Sequence, residues 1–97
     1  MKIYKDQKHT QEVKVLNLGI VPAGEEREFV YYVLNDTEAT LTKLAFKVPH
    51  SEVEVVKSPQ VMQRRETAEL ILKWCPSITL KQGLKTIIEV DGKELWS

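Results

Sequence analysis

The run Phe29-Val30-Tyr31-Tyr32-Val33-Leu34, led in by Glu25-Glu26-Arg27-Glu28 and stopped at Asn35-Asp36, leaves few folds open to this chain. Aromatic and branched side chains in such a run specify a β-strand. Successive side chains of a strand point to opposite sides. Phe29, Tyr31 and Val33 therefore share one face, and Val30, Tyr32 and Leu34 the other. A half-buried strand needs one apolar face. Two apolar faces require a second cover, supplied within the chain by the loop over residues 77–85 or the N-terminal arm, or else by another molecule. Just upstream, Leu16-Asn17-Leu18-Gly19 reads as strand and Pro22-Ala23-Gly24 as turn.

Two-residue alternation continues along the chain. Ile3-Tyr4 makes a short first strand. In the next, Val13, Val15 and Asn17 alternate with Lys14 and Leu16 up to Gly19. Asn35-Asp36-Thr37 turns the chain, and residues 40–48 then carry Leu44, Phe46 and Val48 on one face before Pro49. Val53 and Val55 alternate with Glu52 and Glu54 in a shorter strand that ends before Ser58-Pro59. Residues 66–74 alternate most cleanly, with Ala68, Leu70, Leu72 and Trp74 inward and Thr67, Glu69, Ile71 and Lys73 outward. Pro76 breaks this strand, and Gln82-Gly83 marks a loop. Residues 84–90 lead into Asp91-Gly92, a hairpin signal, and return as residues 93–96. A two-residue turn there sets Glu89 against Glu94. A three-residue loop with Gly92 left-handed pairs Glu89 with Lys93 instead, and is favoured because it avoids like charges. Residues 60–69 hold good helix formers but no apolar side chains at helical spacing.

Seven to eight short strands predict an all-β fold, a two-sheet antiparallel immunoglobulin-like sandwich. Its expected interior holds Phe29, Tyr31, Val33, Leu44, Phe46, Leu70 and Leu72, with Trp74 also in the core. The 97 residues make a single domain, residues 1–97, because a second core would not fit. Fourteen basic and fourteen acidic residues cancel. No global field then favours nucleic acid or an anionic membrane, and a zero net charge favours association. Cys75 is the sole cysteine, so no disulfide forms within the chain. The first residues lack the apolar run of a signal peptide, and nothing approaches the ~20 apolar residues of a membrane span. A cytoplasmic or virion location is expected.

These features resemble the immunoglobulin-like sandwich of major sperm protein and Hydin-like (ASH) domains. The pattern stands here as Leu18-Gly19, Val21-Pro22-Ala23-Gly24, Phe29-Tyr31-Val33, Asn35, and the later Leu70-Leu72-Trp74-Cys75-Pro76. The resemblance implies a structural role for Asn35, turning the chain by bonding local backbone. It also implies a non-enzymatic protein, such as a filament subunit, an adaptor or an attachment to a larger body. No basic groove supports a phosphopeptide site. Similar single sandwiches serve as small accessory proteins on tailed-bacteriophage particles, and a 97-residue chain starting at Met1 resembles that use.

Chemistry leaves little trace. His9, His50 and Cys75 lie far apart, without the close ligand pairs of a zinc site, and the histidines read as solvated turn residues. His50 and Ser51 are neighbours and point apart in an extended chain, so they form no nucleophile–base pair. Gln63-Arg64-Arg65 reads as an ordinary turn. No catalytic residue, metal site or cofactor is expected. The expected function is a non-catalytic assembly protein that decorates or joins parts of a larger particle, most concretely a phage virion. The alternative is a cytoplasmic adaptor domain that binds a peptide or cytoskeletal partner. Either implies protein partners, with a homo-oligomer as one form and neither nucleic acid nor membrane involved. The candidate contact residues are Val30, Tyr32, Leu34, Ile71 and Trp96, the last inserted into a neighbour or docked on its own domain.

Overall fold

The computed structural model describes residues 1–95, in which eight strands and no helix are found. They are β1 (Lys2–Tyr4), β2 (Leu16–Gly19), β3 (Arg27–Leu34), β4 (Thr40–Lys47), β5 (Val53–Lys57), β6 (Thr67–Trp74), β7 (Leu84–Thr86) and β8 (Glu89–Leu95). All pairings are antiparallel. The strands fall into three sheets rather than the expected two: a four-stranded sheet ordered β1-β3-β6-β5, a β2-β7 ribbon and a β4-β8 ribbon.

The β3–β6 pair is the centre of the larger sheet, and its register follows the apolar alternation. Phe29 faces Leu72, Tyr31 faces Leu70, and Val33 faces Ala68. One continuous core joins Tyr31, Val33, Leu70, Leu72 and Trp74 to Leu16, Leu18 and Leu84 of the first ribbon and Leu41, Leu44 and Phe46 of the second. The expected interior residues are buried except Phe29, which is half-buried at the margin of the core. Burial in this core pushes the Tyr31 phenol above its usual pKa.

β2 starts later than the alternation suggested and presents the other face. Leu16 and Leu18 are buried, while Val15 is exposed. Val13 is instead tied down beside β1, its N–H donating to the Ile3 carbonyl at 2.7 Å. Leucine at positions 16 and 18 also offers more apolar surface to the core than the smaller valines at 13 and 15.

The largest departure is at Asp91-Gly92, where no hairpin forms. The chain leaves β7 after Thr86, changes partner, and runs straight through Asp91-Gly92 as β8 alongside β4. Glu89 lies opposite Lys47 and Lys93 opposite Thr42, so neither sequence-based pairing of Glu89 occurs. The glycine serves a bulge instead. The β4–β8 register shifts between Thr42 and Ala45, and Lys43 takes a φ of 52°. This bulge swings Leu44 over Gly92, where a Cβ would sit 2.7 Å from Leu44 Cδ2. Glycine within a strand also marks a bulge or the close approach of a neighbour, and here it marks both.

Asn35 is fully buried at the β3–β4 corner. Its Nδ2 donates to the carbonyls of Ala39 at 2.9 Å, Met62 at 3.3 Å and Gln63 at 3.0 Å. Its Oδ1 accepts from the Thr37 N–H at 3.1 Å and the Thr37 hydroxyl at 2.6 Å. The residue thus turns its own corner, as expected, and also clamps the segment between β5 and β6.

Candidate functional site

Directly opposed residues of antiparallel strands lie on the same side of a sheet. The side of the four-stranded sheet turned away from the core therefore carries four rows. Lys2, Leu34 and Thr67 form the first, and Tyr4, Tyr32 and Glu69 the second. Val30, Ile71 and Lys57 form the third, and Glu28, Lys73 and Glu54 the fourth.

The first two rows lie under an N-terminal hook. The Asp6 carboxylate accepts the Thr10 N–H at 3.0 Å, the Gln11 N–H at 3.1 Å and the Thr10 hydroxyl. The Lys5 N–H donates to the Gln11 carbonyl at 3.0 Å, closing the hook. His9, at a φ of 59°, packs its ring 4.8 Å from that of Tyr4 and brings Nε2 to 2.8 Å from Thr67 Oγ1. Thr67 is on β6, beyond β3, so the hook spans the first two rows. Gln7 joins Tyr32, Thr67, Ala68 and Glu69 around a shallow concavity of about 290 Å³. Tyr4 is buried as a result, and Tyr32 and Leu34 are half-buried.

The hook is fastened by carboxylates. Hydrogen bonding, first from the Thr10 side chain, holds Asp6 below the usual carboxylate range. Asp36 is lowered as well, first by its hydrogen bond from the Met1 ammonium, at 2.9 Å. A carboxyl whose folded pKa is depressed stabilises the fold above its unfolded pKa and loses that contribution as the pH falls towards the folded value. Acidification through and below the ordinary carboxylate range should therefore release the hook before the core melts. The Tyr4 and Tyr32 ring signals in proton NMR should shift in that window, and Asp6→Asn should produce the same shift at neutral pH.

The third row is open. Val30 is 44% exposed and lies directly opposite half-buried Ile71. Val56, displaced by the bulge between Val55 and Lys57, adds another exposed apolar side chain at the β5 edge. Charges of both signs border this patch. Lys73 pairs with Glu26 at 2.6 Å, which raises its pKa, and Lys57 lies 3.7 Å from Glu69. Such an apolar centre with a polar margin suits contact with another surface.

The five candidate residues thus separate. Val30 is exposed beside half-buried Ile71, Tyr32 and Leu34 share their face beneath the hook, and Trp96 lies outside the described residues. The cover over Tyr32 and Leu34 comes from the N-terminal arm, whereas the loop after β6 docks elsewhere, with Thr79 Oγ1 accepting the Ala23 N–H at 2.9 Å. The histidines are packed rather than solvated. His50 Nδ1 accepts the Glu52 N–H at 3.2 Å, and its ring stands edge-on to Trp74 at 6.4 Å. Cys75 is exposed. Among the described residues, no three His, Cys, Asp or Glu side chains gather as a metal-binding group. Sequence reasoning offered the N-terminal arm as one cover but missed how the hook is built, whose one signal is Asp6 four residues before Thr10, and missed Val56, which follows Val53 and Val55 as a third valine out of phase. No protein-family model, curated protein or solved structure matches the chain.

Proposed function

We propose that this chain is a non-catalytic assembly module that attaches to a larger protein body through the open part of its four-stranded sheet. The observation that carries this reading is exposed Val30 paired with half-buried Ile71, set on the two central strands and bordered by charges of both signs. Apolar side chains at the centre of a sheet normally lie under a second layer; here the hook stops short of them.

The fold is read as a two-layer immunoglobulin-like sandwich whose second layer is split into the β2-β7 and β4-β8 ribbons. Supporting this, a single core joins the three sheets, and the shortest dimension of the molecule, 16 Å, suits two layers packed about 10 Å apart. A bacteriophage virion is the most concrete setting, on the resemblance to small accessory sandwiches and to major sperm protein and Hydin-like domains.

Val30→Asp tests the reading. The position is 44% exposed and should accept the charge at a cost of about 1 kcal/mol, the strand-propensity difference between valine and aspartate. In its native host, the tagged wild-type chain should sediment with large particles and the variant should remain in the light fraction, with a melting temperature lowered by no more than about 8 °C. Equal sedimentation of the two chains would contradict the assignment.

A further inference from the structure

Every residue of β8 is exposed, which holds for no other strand. β4 covers one edge of β8, and among the described residues no strand covers the other. The direction of the backbone groups on that open edge follows from β4. Leu41 exchanges both backbone bonds with Met62, at 2.8 and 2.9 Å, so its peptide groups point away from β8. Its partner across the ladder, Glu94, therefore sits in a non-hydrogen-bonded pair. Alternation along the strand turns the N–H and C=O of Lys93 and Asp91 towards β4, and those of Gly92 and Val90 towards the open edge. The Thr42 hydroxyl reaching the Lys93 carbonyl at 3.4 Å agrees with this. The Gly92 N–H meets the carboxylate of its own neighbour Asp91 at 3.1 Å, so that carboxylate leans over the open edge.

The sequence of this edge is complementary to itself. When Asp91-Gly92-Lys93 is laid antiparallel against a copy with the two-fold axis on Gly92, each Asp91 faces a Lys93. Moving the axis to Asp91 or to Lys93 sets two like charges face to face, which destabilises a cross-strand pair. The attractive register is also the one in which the outward groups of Gly92 meet their own counterparts.

We propose that a second copy of this chain occupies the open edge, pairing β8 with β8 antiparallel about Gly92. The two β4-β8 ribbons become one four-stranded sheet. The Gly92 N–H of each copy donates to the Gly92 carbonyl of the other, and each Asp91 carboxylate turns to the Lys93 ammonium across the axis. A contact of one short strand is small, so the dimer forms and dissociates with concentration. The pairing uses none of the Val30–Ile71 surface, and its failure would leave the assembly reading standing.

Sedimentation velocity on the full chain, Asp91→Lys, Lys93→Asp and an equimolar mixture of the two variants tests the proposal, over roughly 10 μM to 1 mM. The wild type should move from monomer towards twice that mass, and more weakly in ~1 M salt, which screens the charge pairs. Each variant alone opposes like charges across the axis and should raise the dissociation constant by about tenfold or more. The mixture restores attraction at both positions and should form a heterodimer. Thermal melts of the variants should match the wild type, since both positions are exposed. A wild type that stays monomeric throughout, or variants that dimerise alone as well as the wild type, would overturn the proposal.

Discussion

Asn35→Ala should destabilise the protein by about 3–5 kcal/mol, with the loss read from urea unfolding. The substitution removes the donor shared by the Ala39, Met62 and Gln63 carbonyls and the acceptor used by Thr37. Water cannot readily replace it, because Asn35 is fully buried. Each buried acceptor left without a donor costs more than the net gain of an ordinary hydrogen bond. Asn35→Asp should be at least as harmful, since it turns a carboxylate towards three carbonyl oxygens. A loss below about 1 kcal/mol would show that the corner tolerates opening and that Asn35 is no clamp.

Trp74→Ala should cost about 3–5 kcal/mol, and Trp74→Phe clearly less. Trp74 is fully buried at the end of β6, between Arg27 of β3 and Val53 of β5 in the ladder. Truncation to alanine leaves a cavity beside His50, whose ring packs edge-on against the indole. The indole nitrogen makes no hydrogen bond among the described residues, where Nε1 is buried without a partner. Phenylalanine removes that uncompensated donor and retains much of the apolar bulk, so part of the cavity cost is offset. Equal losses for the two substitutions, measured by chemical unfolding, would show that the N–H is satisfied in solution, for instance by an ordered water.

The strands that were legible in the sequence are those whose environment is two-sided in the simplest sense. β6 alternates because one face meets the core and the other is turned away from it; of its inward set, Leu70, Leu72 and Trp74 are buried and Ala68 is half-buried. β3 was legible as a strand with two apolar faces, and the pairing of Val30 with Ile71 followed once β6 became its neighbour. Where alternation misled, a particular interaction intervened. The β4 bulge placed Leu44 against Gly92 and turned a hairpin signal into an uninterrupted strand. The phase of β2 was set by Leu16 and Leu18, while Val13 was diverted to pair beside β1. The N-terminal hook has no periodicity because polar contacts of Asp6 and His9 build it, and such contacts leave no regular spacing in a sequence. The candidate surface was consequently only half legible. Its residues could be placed on a face, but the boundary between the covered Tyr32 and the open Val30 depends on that hook.

Side-chain footprinting with hydroxyl radicals, comparing the free protein with the particle-bound form, tests the assembly account most directly. Val30, Ile71 and Val56 should react in the free chain and become protected on the particle. Val15 and Ile78, exposed elsewhere on the molecule, should react equally in both. Unchanged labelling of Val30 and Ile71, with protection confined to Val15 or Ile78, would contradict the account and move the contact surface away from the four-stranded sheet.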